Sequence, residues 1–173
     1  MIDHQELIKQ ISAVPLRRGR RIIAIVGAPA SGKSTLAGEL HSQIPNARIV
    51  PMDGFHRNND DLSQHGLLSR KGAPETFDVA GFITIIQSLH GQGAVAFPTF
   101  DRANDCVVED GGMVLATDET ILVEGNYLLL KEPPWDGLST LFDLSVMVSP
   151  KIDILEARLI SRWMKHGMPK VDA

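Results

Sequence analysis

The chain has 173 residues, 43% of them apolar and 22% charged, which fits one globular domain with a core of useful size. A formal net charge of -4 argues against a general nucleic-acid binder, so any anion site has to be built locally. The single cysteine, Cys106, excludes an internal disulfide framework and a cysteine-cluster zinc site.

The N-terminal stretch MIDHQELIKQ is polar, without the apolar region of a signal peptide, and no apolar run approaches the ~18 residues of a membrane span. The expectation is a cytoplasmic chain that does not insert into a membrane. Asp3 with Glu6 three residues on has the capping-box spacing. Leu7, Ile11 and Val14 recur at helical intervals, so a short amphipathic helix is predicted over 3–14. LRRGRR (16–21) reads as a solvated basic connector. IIAIVG (22–27) is a continuous β-branched run, suited to a strand buried on both faces. KSTLAGELHSQI then follows as a helix striped by Leu36, Leu40 and Ile44. ARIVPM (47–52) is a second buried strand, with Pro51 near its end.

Residues 57–76 are polar and contain glycine, predicting a long loop. Asp78 is placed to cap a helix carrying Phe82, Ile85, Ile86 and Leu89, which stops near Gly91 and Gly93. AVAFP (94–98) reads as a short strand. CVVEDGGMVL reads as a hairpin turning at Asp110-Gly111-Gly112. TILVEG (120–125) and LFDLSVMV (141–148) are two further buried strands. Ser149-Pro150 opens a last helix, with Ile152, Leu155, Leu159 and Trp163 as its buried stripe, ending near His166. Strands alternating with helices predict an α/β domain built on a mainly parallel sheet. Ligands of such sheets bind beyond the carboxyl ends of the strands, where 27–35, 53–57 and 124–127 fall.

GAPASGKS fits the phosphate-loop pattern G-x-x-x-x-G-K-[ST] without a departure. Gly27, Ala28, Pro29, Ala30, Ser31, Gly32, Lys33, Ser34 and Thr35 are therefore the predicted nucleotide-binding residues. The glycines let backbone N–H groups wrap phosphate oxygens, Lys33 reaches the β and γ phosphates, and the Ser34 hydroxyl can ligate Mg²⁺. The following helix presents its positive end to the same anion. The alternative is a glycine turn with a surface lysine, which the strand-to-helix setting disfavours. No guanine-reading Asn-Lys-x-Asp motif is present, and no Asp-x-x-Gly switch follows a strand, so a GTPase is disfavoured.

The order of P-loop, DGFHR, PETFD, PTFDR, LVEGNYLL and a basic helix resembles the phosphoribulokinase/uridine kinase family of P-loop kinases. The resemblance runs from Ile22 to the end of the chain. It is greatest to bacterial kinases named for a fructose transport system, while uridine and pantothenate kinases are more distant. The resemblance implies a three-layer P-loop fold with a hairpin insertion and a lid helix, and an ATP-dependent kinase requiring Mg²⁺. It implies that Asp53, at the end of the second strand, is the general base for the acceptor hydroxyl, with help in holding Mg²⁺ through water as a further role open to it. It also implies that Glu124 belongs to the Mg²⁺ shell and that Arg158 and Arg162, four apart on one helix face, are lid cations. The plainer alternatives are an Asp-Gly turn, a strand-end charge, and a solvated face paired with Asp153 and Glu156.

Candidate acceptor contacts are His56, Arg57, Glu75, Asp101, Arg102 and Tyr127, while Phe77 and Phe82 read as core. Uridine kinases carry an aspartate where this chain has Gly72, and a Tyr-Asp-Phe segment followed by a histidine where it has FDRAND. The expected acceptor is therefore a small molecule, a sugar or polyol such as fructose. A nucleoside or pantothenate acceptor, a non-catalytic nucleotide-binding regulator attached to a transporter, and a homo-oligomer all stay open. Relatives continue beyond the lid through a last strand, so residues 1–173 are expected to form one kinase domain lacking that strand.

Overall fold

The computed structural model describes residues 3–165, without the side chains at 162, 163 and 165. Its helices are α1 His4–Ala13, α2 Lys33–Gln43, α3 Asn59–Gln64, α4 Val79–Ser88 and α5 Ile152–Lys165. Its strands are β1 Arg21–Val26, β2 Ala47–Pro51, β3 Val95–Asp101, β4 Cys106–Val114, β5 Thr120–Gly125 and β6 Leu144–Met147. Four strands form one parallel sheet in the order β2-β5-β1-β6, and β3 pairs with β4 in a separate antiparallel ribbon.

Strand alternation in β1 explains the layers. Ile22, Ala24 and Val26 join Val50, Ile121 and Val123 in a core with Phe82, Ile86 and Trp135. Ile23 and Ile25 join Leu122 in a second core with Leu7, Ile11, Ala37 and Leu40. One face of the sheet is therefore covered by α4 and the other by α1 and α2, which is the three-layer arrangement expected. β5 lies between β1 and β2, with Gly125 opposite Val26 and Glu124 opposite Pro51. The carboxyl ends of these three strands therefore open on one edge, where the P-loop, Glu124 and the Asp53 turn all emerge.

Several local expectations are corrected. The ribbon does not turn at Asp110-Gly111-Gly112: β4 continues through them, and the connection is 102–105. A Cβ at Gly111 would lie 2.1 Å from Thr99 Oγ1, and one at Gly112 2.3 Å from the Phe97 ring. These glycines make room for the opposite strand, and Asp110 takes a φ of 50° where the pairing register slips. Nor is 16–21 only a solvated connector. Arg20 is 2% exposed, and its guanidinium donates to the carbonyls of Leu89, Gly91, Gly93, Leu115 and Asp118.

Asp3 precedes α1 but its side chain makes no capping bond, whereas Asp78 accepts the Gly81 N–H at 3.0 Å as predicted. The segment 57–76 carries α3 and two 3-10 turns, Leu68–Arg70 and Pro74–Thr76. β6 is a half-buried edge strand, because among the described residues it pairs only with β1. α5 begins two residues after Ser149-Pro150, and Ile152 is 73% exposed where burial was expected. The expected burial of Trp163 and the helix end at His166 lie outside the described residues.

Candidate active site

The P-loop leaves β1 at Gly27. A Cβ there would meet Ser31 Oγ at 2.5 Å and the Val148 carbonyl oxygen at 2.7 Å, so the loop closes this tightly only on glycine. Gly32 has a φ of 100°, and Ala30 takes 63°, a left-handed conformation that non-glycine residues adopt mainly at ligand clamps and turns. The Ser31 hydroxyl oxygen is buried without a partner among the described atoms. α2 starts at Lys33, so its first-turn N–H groups face the loop. Pro29 through Thr35 line an open cleft of about 1670 Å³ that also reaches Asp53, His56, Lys71, Phe100 and Arg102.

Glu124 stands at the end of β5, 7% exposed, and accepts a hydrogen bond from Ser34 Oγ at 3.1 Å. Burial pushes its carboxyl above the usual carboxylate range; the Lys33 charge opposes this and the Asp53 charge adds to it. Lys33, Ser34 and Asp53 thus all act on Glu124, although the four come from three chain segments. A buried carboxylate beside a hydroxyl is an oxygen-only donor set that fits Mg²⁺. That ion keeps most of its shell for water and phosphate rather than a protein cage. Among the described residues, no three His, Cys, Asp or Glu side chains gather into a group that could hold a metal ion.

Asp53 lies in a 3-10 turn over Met52–Phe55, directly after β2. The Asp-Gly pair does form a turn, but its glycine is needed for another reason. A Cβ on Gly54 would sit 1.9 Å from the Pro98 carbonyl oxygen, so β3 is pressed against the turn. The Asp53 carboxylate accepts a hydrogen bond from the Arg102 guanidinium at the ribbon tip. The His56 ring stacks on Phe77 at 4.1 Å and tilts against Phe100 at 4.9 Å. Burial pulls its imidazole below the usual histidine range, with Asp53 opposing and Lys71 and Arg102 adding to the fall. Its Nδ1 is buried and unpartnered among the described atoms.

Other predicted acceptor residues stand outside the lining of this cleft. Arg57 pairs with Asp61, and Glu75 pairs with Arg70. Asp101 accepts the N–H groups of Ala103 and Asn104, and Tyr127 donates to the Gly72 carbonyl at 2.7 Å. Arg158 donates to the Ser31 carbonyl at 3.2 Å, which lays a lid-helix cation on the P-loop. The Arg162 side chain is outside the described residues.

Sequence reasoning passed over Lys71 and Asn126. Lys71 bonds Asn59 Oδ1 at 2.7 Å and Asp105 Oδ1 at 2.8 Å, and lies 5.1 Å from the Phe100 ring centre. Nothing in a polar stretch marks it out. Asn126, whose Oδ1 is buried without a partner among the described atoms, had a usable signal: it follows Glu124-Gly125 at the strand's carboxyl end.

No family model matches the chain. The chain is 34% identical over 175 residues to "Uncharacterized protein YggC" of Escherichia coli K12, covering 96% of this chain and 73% of that protein. It is 29% identical over 180 residues to "Putative uridine kinase C227.14" of Schizosaccharomyces pombe, covering 96% and 76%. It is 32% identical over 157 residues to a pantothenate kinase of Nocardioides sp., spanning 83% of this chain but only 48% of that enzyme. Among solved structures, a "putative fructose transport system kinase" from Silicibacter sp. TM1040 superposes with a TM-score of 0.93 at 39% identity. That match covers 99% of this chain and 86% of the other. With a phosphate loop, a strand-end aspartate and a strand-end glutamate converging on one sheet edge, and with these relatives, the chain belongs to the uridine kinase-like family of P-loop kinases.

Proposed function

We propose that this chain is a cytoplasmic phosphotransferase that uses ATP and Mg²⁺ to phosphorylate a hydroxyl of a small polyhydroxy molecule, a sugar such as fructose. One observation carries the reading: Asp53 opens into the same cleft as the P-loop, at the sheet edge shared with Glu124. A nucleotide-binding module needs the loop alone, whereas a transferase also uses a carboxylate where the acceptor would lie. Polar lining at the acceptor end and similarity to the Silicibacter kinase support a sugar.

The residues divide the work as follows. P-loop N–H groups and Lys33 hold the β and γ phosphates, and Arg158 adds a cation above the loop to spread transition-state charge. Ser34 and Glu124 would hold Mg²⁺, which would neutralise phosphate charge when bound. The acceptor oxygen forms its bond to the γ-phosphorus while the bond to the β–γ bridging oxygen breaks. Asp53 orients the acceptor hydroxyl and takes its proton. His56, Lys71 and Arg102 border the acceptor.

The test is ATP consumption by the purified chain against a panel of sugars, polyols, nucleosides and pantothenate. Stimulation by a sugar or polyol is expected. Response to a nucleoside or pantothenate alone would replace the acceptor assignment, and no response to any member would sink the kinase reading.

A further inference from the structure

Arg102 stands at the tip of the β3–β4 ribbon, and its guanidinium donates to Asp53 Oδ2. Three features aim it there. β3 is pressed against the Asp53-Gly54 turn at Pro98. The Asp101 carboxylate accepts the N–H groups of Ala103 and Asn104, at 2.9 and 3.1 Å, and so shapes the connection 102–105. On the far side of that connection, Asp105 accepts from Asn59 Nδ2 and Lys71 Nζ, each at 2.8 Å. The tip is thus pinned on both sides of Arg102. The neighbouring carboxylates already have cations of their own: Asp105 has Lys71, Asp61 has Arg57 and Glu75 has Arg70.

We infer that Arg102 is a positioning residue that guards the base: it occupies Asp53 Oδ2 until an acceptor hydroxyl displaces it, and so suppresses transfer of the phosphate to water. The inference rests on the reading of Asp53 as base. In the suppressed reaction, a water oxygen bonds to the γ-phosphorus and the bond to the β–γ bridging oxygen breaks. ADP leaves with that bonding pair, and the water proton passes to Asp53 and then to solvent. A carboxylate oxygen already accepting from a guanidinium is occupied and cannot at the same time line up to accept from that water. Arg102 is 62% exposed, and an ion pair so exposed shifts an equilibrium by less than about fivefold. A polyhydroxy acceptor, held by several other contacts, can displace so weak a pair; a single water has no remote contacts to draw on.

The test compares acceptor-free ATP hydrolysis by the wild type, R102Q, R102K, D53N and the double variant R102Q/D53N, with nucleotide affinity measured in parallel. R102Q is expected to hydrolyse ATP faster than the wild type by about two- to fivefold. R102K should stay near the wild-type rate, and adding D53N to R102Q should remove the gain. Arg70→Gln, which breaks an exposed pair outside the cleft, is expected to change nothing. If R102Q does not fold, Asp105→Asn, which loosens the tip without touching Asp53, must raise hydrolysis instead. The guard is overturned if hydrolysis in the folded variant stays at or below the wild-type rate with nucleotide affinity retained. A gain that persists in the double variant overturns it equally. Because no acceptor is added, the result stands apart from the outcome of the acceptor panel.

Discussion

Gly54→Ala links the fold to the chemistry through one methyl group. The added Cβ would lie 1.9 Å from the Pro98 carbonyl oxygen, 2.6 Å from its carbonyl carbon and 3.1 Å from Thr99 Cα. All three are backbone atoms, so no side chain can swing aside. Restoring even 3.0 Å moves β3 against the Asp53 turn by about 1 Å. Overpacking of this kind costs about 1–3 kcal/mol. For a domain of this size, each kcal/mol lowers the unfolding temperature by about 2–4 °C. A fall of about 2–12 °C is therefore expected in a thermal melt. The same displacement moves Asp53 relative to the γ-phosphate, and misplacement by about 1 Å can cost about 100-fold in rate. Nucleotide affinity should stay near the wild-type value, since the P-loop is carried by β1 and α2. Single-turnover transfer of labelled γ-phosphate, with a nucleotide titration beside it, reads both effects. A variant that melts and transfers like the wild type would refute the close packing of β3 on the Asp53-Gly54 turn.

Two further variants test the rest of the structure. Arg20→Met leaves five buried or half-buried carbonyls without their donor, at about 1–3 kcal/mol for each group that finds no substitute. Urea unfolding should show a loss above about 3 kcal/mol, and a loss below about 1 kcal/mol would return 16–21 to a solvated connector. For His56, the folded ring resists a proton that the unfolded chain accepts near pH about 6.5. Stability should therefore fall as pH drops through that range toward the lowered value, since the unfolded state binds more protons there. His56→Phe should lose less unfolding temperature than the wild type between about pH 7 and 5, and equal losses would contradict the burial of a neutral ring.

The parallel sheet was legible because its strands are short β-branched runs, and the P-loop because phosphate wrapping demands that spacing. The placement of Asp53 just after β2 and of Glu124 at the end of β5 was legible as well. What failed was the reading of glycine. Asp110-Gly111-Gly112 has turn composition, yet its glycines answer to Phe97 and Thr99 on the opposite strand, a contact of tertiary origin. Arg20 was illegible for the same reason: a basic run looks solvated until the carbonyls converging on one guanidinium are in place. Among the acceptor candidates, His56 and Arg102 border the cleft, while Arg57 and Glu75 pair locally with Asp61 and Arg70. Sequence places these residues near one another but does not say which way each side chain turns.

The central claim is that Asp53 gives the bound phosphate somewhere to go. Asp53→Asn keeps the shape of the side chain and removes the base. Measured side by side, nucleotide affinity should be retained while transfer of labelled γ-phosphate to the acceptor falls by about 100-fold or more. Turnover that survives the substitution intact would contradict the account.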